Sequence, residues 1–375
     1  MNKFKLRRGS TAYIETIRLN SIQKLSNILI YGNSYQAGTP TYKSPKEITC
    51  VGDKSPNLFN VFNAVQQSNY VDRVKLNTDG SLTIYQPTGS SVSDYTTLQQ
   101  FAPSLEVGKT YVLNFKTTGT ITASNQIWIL NSKEAWVRGT SRTIIDTDLT
   151  SPIFWYGDGE GQTITISEIQ ITEGTETKEY KPYGYNIPLI INNKTYNIYL
   201  NEPLRKVLDY CDYIDITNKK VVRNICQELI TTASAMSSNS GKYSQFLCDI
   251  SNKPLLIYPD ETQQTRINVL GPCMSNKFRL SPVVYRLMPN YENIGSTYIT
   301  TSESNRFTFT FDDPNINTHS LGTEALGDGA IVHYVLSKPQ TETINLNNIP
   351  VDDIQSIEVR TSLKPSSIQY EKIII

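Results

Sequence analysis

The aromatic residues of the central third of the chain are the strongest candidates for binding chemistry. The three tryptophans are Trp128, Trp136 and Trp155. Carbohydrate recognition uses flat aromatic rings that stack on sugar C–H faces, with polar groups nearby. Trp136 follows Lys-Glu-Ala and is expected in an exposed loop, forming a glycan site with Tyr156, Trp155 and Tyr85. The alternative is that all three tryptophans pack in a core, because tryptophan is highly buried on average.

A glycine-rich segment directly after these residues is a candidate calcium loop. Asp158 and Glu160 alternate with glycines, so two carboxylates and several backbone carbonyls are close together in sequence. Calcium takes six to eight oxygen ligands, and this run supplies only part of that set. The simpler interpretation is a hairpin turn, since glycine and aspartate are favoured turn residues. No other cofactor is expected.

Residues that could carry catalysis are not marked by any spacing. Asp and Glu together number 35, so a pair of carboxylates for glycoside hydrolysis can always be imagined, and nothing singles one out. The two histidines are His319 and His333, and His333 lies in a strand pattern. The sequence contains no HExxH, GxSxG, GxGxxG or P-loop motif. It therefore favours a protein that is not an enzyme.

Charge, cysteine and hydropathy patterns exclude several classes. Lys and Arg number 35, equal to Asp and Glu, so no net positive charge marks a nucleic-acid partner. The five cysteines are odd in number and form no CxxC pair, which favours reduced thiols over disulfides or a zinc site. No apolar run is long enough to span a membrane. The basic start lacks the apolar segment of a secretory signal, so we expect synthesis in a cytoplasm.

Composition and alternation predict an all-β, multidomain chain. Residues that suit a pleated, half-buried surface are abundant, and tyrosine alone occurs 23 times. We expect an N-terminal β attachment unit over 1–53 and a central jelly-roll β-sandwich over 54–183. A C-terminal β region is expected over 184–375, with an inserted second sandwich favoured at about 226–330.

Strand patterns in the central sandwich predict local detail. Tyr111, Leu113 and Phe115 recur at every second position and should share one face. Within Thr163–Thr172, two pairs of isoleucines fall in opposite phase. A one-residue slip would send one pair to the wrong face, so we predict a bulge or kink near Ser167–Glu168.

The C-terminal region carries further patterns. Asn192–Lys194 separates two apolar runs and predicts a hairpin. Glu202–Cys211 has apolar residues at helical spacing and predicts a short helix. Alternating phenylalanines in Arg306–Phe311 favour a core strand over an interface. The terminal Ile373–Ile375 is expected to pair as a strand, within the chain or with a neighbour.

Segments along most of the chain carry a family resemblance. They are IYGNSYQ (Ile30–Gln36), SPKEITCVGD followed by NLF (Ser44–Phe59), LEVGKT (Leu105–Thr110), IQITEGTETKEYKPY (Ile169–Tyr183), Tyr199–Val222 and His333–Leu346. In this order they resemble minor structural proteins, at the tail tip or baseplate, of tailed bacteriophages that infect Gram-positive bacteria. The central segments are similar to jelly rolls of the carbohydrate-binding-module type. Lys206–Tyr213 departs from the family pattern, which contains a glycine there.

The resemblance implies a non-catalytic virion protein, made in the host cytoplasm and located in the phage tail. It implies a scaffold role together with recognition of a glycan on the host cell surface. Implied partners are other tail and virion proteins, further copies of the chain and host cell-wall polysaccharide, without nucleic acid. Two alternatives stay open: a dedicated carbohydrate-binding adhesin that acts as receptor-binding protein, and a tail-associated cell-wall hydrolase.

Overall fold

The computed structural model describes residues 13–23, 25–61, 63, 74–77, 81–86, 96–119, 126–129, 133–155, 162–233, 235–240, 243–249, 273–280, 298–303, 306–344, 346, 349–350 and 354–372. Strands dominate, so the chain is all-β, as its composition predicts. The helices with described bounds are short: α1 (Leu98–Phe101), α2 (Asp146–Leu149) and α3 (His319–Leu326). Within the described residues, no helix has the length and apolar character needed to cross a membrane.

The strands follow one another along the chain with few helices between them. Up to residue 173 they are β1 (Tyr13–Gln23), β2 (Leu25–Tyr31), β3 (Ser34–Gln36), β4 (Ile48–Cys50), β5 (Asp53–Lys54), β6 (Val74–Leu76), β7 (Leu82–Gln86), β8 (Thr96–Thr97), β9 (Thr110–Gly119), β10 (Gln126–Ile129), β11 (Glu134–Val137), β12 (Ser141–Thr143), β13 (Pro152–Trp155) and β14 (Gln162–Glu173). The later strands are β15 (Tyr185–Ile191), β16 (Lys194–Leu200), β17 (Lys206–Val207), β18 (Tyr210–Cys211), β19 (Tyr213–Asp215), β20 (Lys220–Ile230), β21 (Ala235–Ser240), β22 (Tyr243–Asp249), β23 (Cys273–Ser275), β24 (Arg279–Leu280), β25 (Tyr298–Glu303), β26 (Arg306–Phe311), β27 (Ala330–Thr343), β28 (Ile354–Thr361) and β29 (Ser367–Lys372).

The chain divides into two compact units, both discontinuous in sequence. Unit 1 comprises Met1–Gly52, Ile187–Tyr196 and Pro203–Ile375, and unit 2 comprises Asp53–Asn186 and Asn197–Glu202. Residues 1–52 therefore belong with the C-terminal region, instead of forming the separate N-terminal unit expected over 1–53. The reason is that β2 pairs with β19 and β29, which lie far along the chain. The main segment of unit 2 lies close to the expected bounds of 54–183.

Unit 2 is a sandwich of two antiparallel sheets, with the strand orders β11-β10-β13-β8 and β12-β9-β14-β7-β6. Their facing sides share one hydrophobic core, because apolar residues of both sheets pack into a single cluster. Tyr111, Leu113 and Phe115 all lie in that cluster, as their spacing predicts. The specific jelly-roll topology stays a prediction.

Strand β14 changes phase in its middle. Its register with β9 shifts between Ser167 and Gln170, and Glu168 takes a left-handed φ of 52°. The predicted bulge near Ser167–Glu168 is confirmed. The extra residue keeps all four isoleucines of the strand in the same core, namely Ile164, Ile166, Ile169 and Ile171.

Unit 1 is built mainly from three sheets among the described residues. Their strand orders are β1-β28-β15-β16, β23-β27-β20-β19-β2-β29 and β21-β22-β26-β25-β24. Two ribbons, β3-β4 and β17-β18, complete it. The division between the units runs through β15 and β16. Among the strand pairs of unit 1 whose register is described, only β24 and β25 are parallel.

A phenylalanine-rich core joins the five-stranded and six-stranded sheets of unit 1. Phe307, Phe309 and Phe311 are fully buried, as their alternation predicts. They share one cluster with Val332 and Tyr334 of β27. Strands β21, β22, β25 and β26 are therefore one layer of a sandwich whose other layer includes β20, β23 and β27. The expected second sandwich at about 226–330 is not a compact unit of its own.

The helix predicted over Glu202–Cys211 is wrong, since this segment forms the β17-β18 ribbon. Leu204 and Val207 are buried as a helix would bury them, but Leu204 exchanges backbone hydrogen bonds with Val51. At the tip, Leu208 is 57% exposed and takes a left-handed φ of 52°. This conformation favours glycine, so leucine is strained at this position.

The hairpin predicted around Asn192–Lys194 is confirmed. It joins β15 and β16 through Asn192 and Asn193, whose φ values are 48° and 65°. Two successive left-handed residues are typical of a type I′ turn, whose twist matches that of the flanking strands. Asparagine tolerates this conformation better than most residues, so the turn sets the register of the two strands.

Candidate functional site

Trp136, the residue expected to offer its ring to a sugar, lies in the core of unit 2. Its side chain is 1% exposed, and the backbone of β11 pairs it with Ile127 of β10. The indole Nε1 donates to the carbonyl oxygen of Thr140 at 3.0 Å. The expectation of exposure was wrong because the residues after Lys133 form a strand instead of a loop. A ring covered in this way cannot stack on a ligand in solution.

The other residues expected in the glycan and calcium sites are not brought together by described contacts. Tyr85 belongs to β7 and Trp155 to β13, and the structure describes the backbone of these residues but not their side chains. Tyr156 and the calcium candidates Asp158 and Glu160 lie outside the described residues altogether. The sites predicted on them stay predictions.

The thiols and carboxylates do not assemble into a metal site in the part of the chain that the structure describes. No group of three or more His, Cys, Asp or Glu side chains is placed to hold an ion there. The cysteines Cys50, Cys211, Cys226, Cys248 and Cys273 form no disulfide. Burial raises the pKa of Cys273 to about 12, so this thiol stays protonated at neutral pH.

Asn57, in the NLF segment, ties together three backbone segments of unit 2. Its Oδ1 accepts hydrogen bonds from the N–H groups of Phe59 at 2.9 Å and Ile171 at 3.1 Å. Its Nδ2 donates to the carbonyl oxygens of Ile169 at 2.9 Å and Lys181 at 3.0 Å. The side chain is buried, so both of its ends need these partners.

Gln170 forms similar hydrogen bonds with the segment that follows the sandwich. We call the side chains of Asn57 and Gln170 together the amide clasp. Its Nε2 donates to the carbonyl oxygens of Lys178 at 3.2 Å and Glu179 at 3.4 Å, and its Oε1 accepts from the N–H of Lys181 at 2.8 Å. The segment after β14 has no regular structure until β15. A buried amide side chain therefore supplies hydrogen bonds that a strand ladder would otherwise provide.

The IYGNSYQ segment serves the framework of unit 1 in the same way. A Cβ on Gly32 would lie 2.6 Å from the carbonyl oxygen of Arg205, so only glycine allows the two backbones to approach this closely. Ser34 Oγ accepts from the N–H of Lys206 at 2.8 Å. Gln36 Nε2 donates to a carbonyl oxygen of β23 at 2.9 Å.

Asp212 is the centre of a charged cluster inside unit 1. Its side chain is 0% exposed. Oδ1 accepts from the N–H groups of Asn224 at 2.8 Å and Ile225 at 2.9 Å, and Oδ2 accepts from that of Arg205 at 3.2 Å. The buried guanidinium of Arg223 lies 3.5 Å from Oδ2. Burial raises the pKa of Asp212, while the two arginines and the backbone donors oppose that shift. Both carboxylate oxygens of Asp212 accept hydrogen bonds from the backbone, so the cluster around Asp212 holds these strands in position.

His333 is a second buried ionisable group in unit 1. Its side chain is 2% exposed, and its Nε2 lies 3.0 Å from Oε1 of Gln227, so Nε2 carries the proton. Within the described residues, Nδ1 has no hydrogen-bond partner. Burial and, to a smaller extent, the charge of Arg205 lower the pKa of His333 to about 3. The imidazole is therefore neutral at physiological pH.

An aromatic pair on the outer face of the six-stranded sheet has the chemistry of a stacking site. Tyr31 on β2 and Tyr213 on β19 are direct cross-strand partners, and their ring centroids are 5.2 Å apart with planes tilted by 39°. Both side chains are half-buried. The adjacent residues Ile30 and Ile214 are fully buried, so alternation places the tyrosines on the face opposite the core.

Polar groups surround this pair. The Tyr31 hydroxyl donates to Oε1 of Gln369 at 3.3 Å. Burial and then the neighbouring Tyr213 raise the pKa of Tyr31, so its phenol stays a hydrogen-bond donor. Lys220 Nζ lies 3.9 Å from Oδ2 of Asp215. Donors and acceptors therefore flank two flat rings on one sheet face.

The tyrosine pair could not be found from the sequence because its halves come from segments far apart. Alternation with Ile30 and Ile214 puts each tyrosine on the outer face of its own strand. That local signal does not say which strands are neighbours, and the pairing of β2 with β19 appears only in the folded chain.

Comparison with known proteins identifies no relative. No family model matches the chain, no curated protein matches it, and no solved structure matches it. The resemblance to phage tail proteins therefore stays a proposal, and the contacts described above are the basis on which it is argued.

Proposed function

We propose that the chain is a non-catalytic structural protein of a bacteriophage tail, placed at or near the baseplate. Its partners in this proposal are other virion proteins and further copies of itself. Unit 1 is the scaffold, and unit 2 is a jelly-roll module inserted into its sequence. Recognition of a host cell-wall glycan is the second role of the protein.

The role of the family-like segments in the fold is the observation that carries this proposal. The side chains of Asn57 and Gln170 form hydrogen bonds with the backbone of unit 2. In unit 1, Gly32 allows two backbone segments to approach closely, and Ser34 accepts a backbone hydrogen bond. Each acts through main-chain hydrogen bonds or close backbone approach. Segments of this kind are what a family of structural proteins would share, whereas an enzyme family would share reacting groups.

The two ends of unit 2 support a scaffold with an inserted module. Asp53 pairs with Asn186 and Lys54 pairs with Tyr185, where β5 meets β15. The N–H of Ser55 also donates to the carbonyl oxygen at position 184, at 2.8 Å. A module whose entry and exit meet can be inserted into another unit without disturbing the host fold. This arrangement suits a tail protein that displays one domain from another.

Immunogold labelling of phage particles tests the proposal. Antibodies raised against the purified chain should label the tail end of tailed particles released by the strain that carries the gene. Antibody preabsorbed with the purified chain is the control and should label nothing. Absence of the chain from density-purified particles, by labelling and by mass spectrometry, would contradict a virion role.

Incubation with host cell walls tests the non-catalytic part of the proposal separately. The purified full-length chain should release no soluble sugar or peptide from the walls, while a muramidase run in parallel should release both. Release by the chain at a rate that scales with its concentration would replace the scaffold proposal by the hydrolase alternative.

A further inference from the structure

We infer that the outer face of the six-stranded sheet of unit 1 binds a neutral saccharide chain through Tyr31 and Tyr213. The inference deepens the glycan-binding role proposed above and rests on it, because it places that recognition in unit 1 instead of the central sandwich. It does not depend on the protein belonging to a phage particle.

The strand ladders line up the residues of this face in rows. One row crosses β27, β20, β19, β2 and β29 and contains both tyrosines. The next row contains Lys220, Asp215, Leu29 and Gln369, and Val222 lies beside Tyr213 in the first row. Neighbouring strands are about 4.8 Å apart, so the three strands β19, β2 and β29 together span about 10 Å, enough for a short saccharide. Val222 and Asp215 on this face are only 7% and 6% exposed, so its accessible part is the tyrosine pair together with the exposed Gln369.

The chemistry of the rows fits a sugar better than a protein partner. The outer ends of the row of tyrosines are Thr341 and Ser367, which offer hydroxyl groups instead of apolar side chains. A protein interface would need a fully desolvated apolar centre, whereas a saccharide needs flat rings with polar groups close by. The phenol of Tyr31 and the amide of Gln369 supply donors and acceptors at the edge of the rings.

The described side chains of this face include one ion pair, which favours a neutral ligand. The ammonium of Lys220 is held 3.9 Å from the carboxylate of Asp215, so the two charges offset each other. An anionic polymer would gain no uncompensated cation from this pair. We therefore expect uncharged hexopyranose or N-acetylhexosamine chains to bind, and polyuronates to bind less tightly.

Isothermal titration of the full-length chain tests the inference. The probes are hexasaccharides of glucose, galactose and N-acetylglucosamine, with hexagalacturonate as the anionic comparison. At least one neutral hexasaccharide should bind, and Tyr213→Ala should raise its Kd about tenfold or more, the scale of one aromatic contact. Tyr35→Ala is the matched control, since Tyr35 is 58% exposed on β3, outside this sheet, and should leave the Kd unchanged.

A second variant keeps the test decisive if Tyr213→Ala does not fold. Gln369 is exposed on the edge strand β29, so Gln369→Ala should leave the melting temperature unchanged and still raise the Kd about threefold, the scale of one hydrogen bond. The inference is overturned if no neutral hexasaccharide binds the native chain, if hexagalacturonate binds more tightly, or if neither Gln369→Ala nor a folded Tyr213→Ala weakens binding.

Discussion

The two units use their polar and aromatic residues in different ways. In unit 2, Trp136 is inside the core, and uncharged amides such as Asn57 and Gln170 hold the backbone. In unit 1, two tyrosines stay at the surface, and the buried polar residues Asp212 and His333 are ionisable. In unit 1 the buried His333 also has a lowered pKa, so the pH dependence of stability should differ between the two units.

Unit 2 also contains a buried carboxylate, so the contrast is one of histidine and of surface tyrosines and not of charge alone. Asp148 is 0% exposed and receives a bidentate bond from Arg142, at 2.7 and 2.9 Å. The side chain of Arg142 stays 13% exposed. Both histidines of the chain belong to unit 1, so no imidazole titrates within unit 2.

Removal of the charged centre of unit 1 should have the largest effect. Asp212→Ala removes the buried carboxylate beside Arg223, which keeps only the partly exposed Glu342 at 3.4 Å, and strands three backbone N–H groups, so we expect a loss of about 3 kcal/mol in the free energy of unfolding of unit 1. All three tryptophans lie in unit 2, so the loss should appear in far-ultraviolet circular dichroism and not in tryptophan fluorescence.

Asp209→Ala is the matched control for this variant. Asp209 is exposed in the turn of the β17-β18 ribbon, and its loss should change the free energy of unfolding by no more than about 0.5 kcal/mol. Equal effects of the two substitutions would show that Asp212 does not hold unit 1 together.

Removal of the amide clasp of unit 2 should have a smaller effect, because no charge is stranded. Asn57→Ala removes four hydrogen bonds and leaves buried backbone groups without partners, so we expect a loss of about 2–3 kcal/mol. Denaturant unfolding followed by tryptophan fluorescence measures it. Gln99→Ala, at an exposed position of α1, should leave the midpoint of this unfolding transition unchanged. If Gln99→Ala shifted the unfolding midpoint by a similar amount, the loss in Asn57→Ala could not be assigned to its hydrogen bonds.

Acid should weaken unit 1 more than unit 2. His333 has a folded pKa of about 3, below the value of 6.5 for the free side chain. The unfolded chain therefore binds the proton first, and stability present above pH 6.5 is lost as the pH falls toward 3. Between pH 7 and pH 5 we expect a loss of about 2 kcal/mol.

Hydrogen-exchange protection factors measured at the two pH values separate the units. Protection in β20 and β27 should fall on acidification, while protection in β9 and β14 should hold. His333→Gln should remove most of the difference, because glutamine is uncharged at both pH values. A fall of equal size in both units, or a fall that persists in His333→Gln, would contradict a role for this imidazole.

Relief of backbone strain in unit 1 should have the smallest effect. Leu208 has a φ of 52° and an exposed side chain, so Leu208→Gly should stabilise unit 1 by about 0.5–1 kcal/mol. The neighbouring Asp209 does not have a positive φ, and Asp209→Gly should destabilise instead. Thermal unfolding followed by circular dichroism compares the two. Destabilisation by both substitutions would rule out strain at Leu208.

Features that depend on neighbouring residues could be predicted from the sequence. The two phases of isoleucine in β14 predict its bulge, and the asparagines at 192 and 193 predict a tight hairpin. The buried stripe of Phe307, Phe309 and Phe311 follows from the same rule of alternation. In each case the period of the strand decides which side chains share a face.

Features that depend on distant strands could not be predicted. Leu204 and Val207 have the spacing of a helix, but a partner strand at Val51 holds the segment extended. Trp136 follows charged residues, yet the core of the sandwich covers it. Tyr31 and Tyr213 become neighbours only because β2 and β19 pair, although nearly half of the chain lies between them.

Binding of the best neutral hexasaccharide to two aromatic variants tests most directly whether recognition lies in unit 1. Trp136→Phe removes an indole from the core of unit 2, and Tyr213→Ala removes a ring from the face of unit 1. We predict that Trp136→Phe, once folded, keeps the native Kd and that Tyr213→Ala raises it about tenfold. A Kd that rises in Trp136→Phe and stays native in Tyr213→Ala would contradict the account.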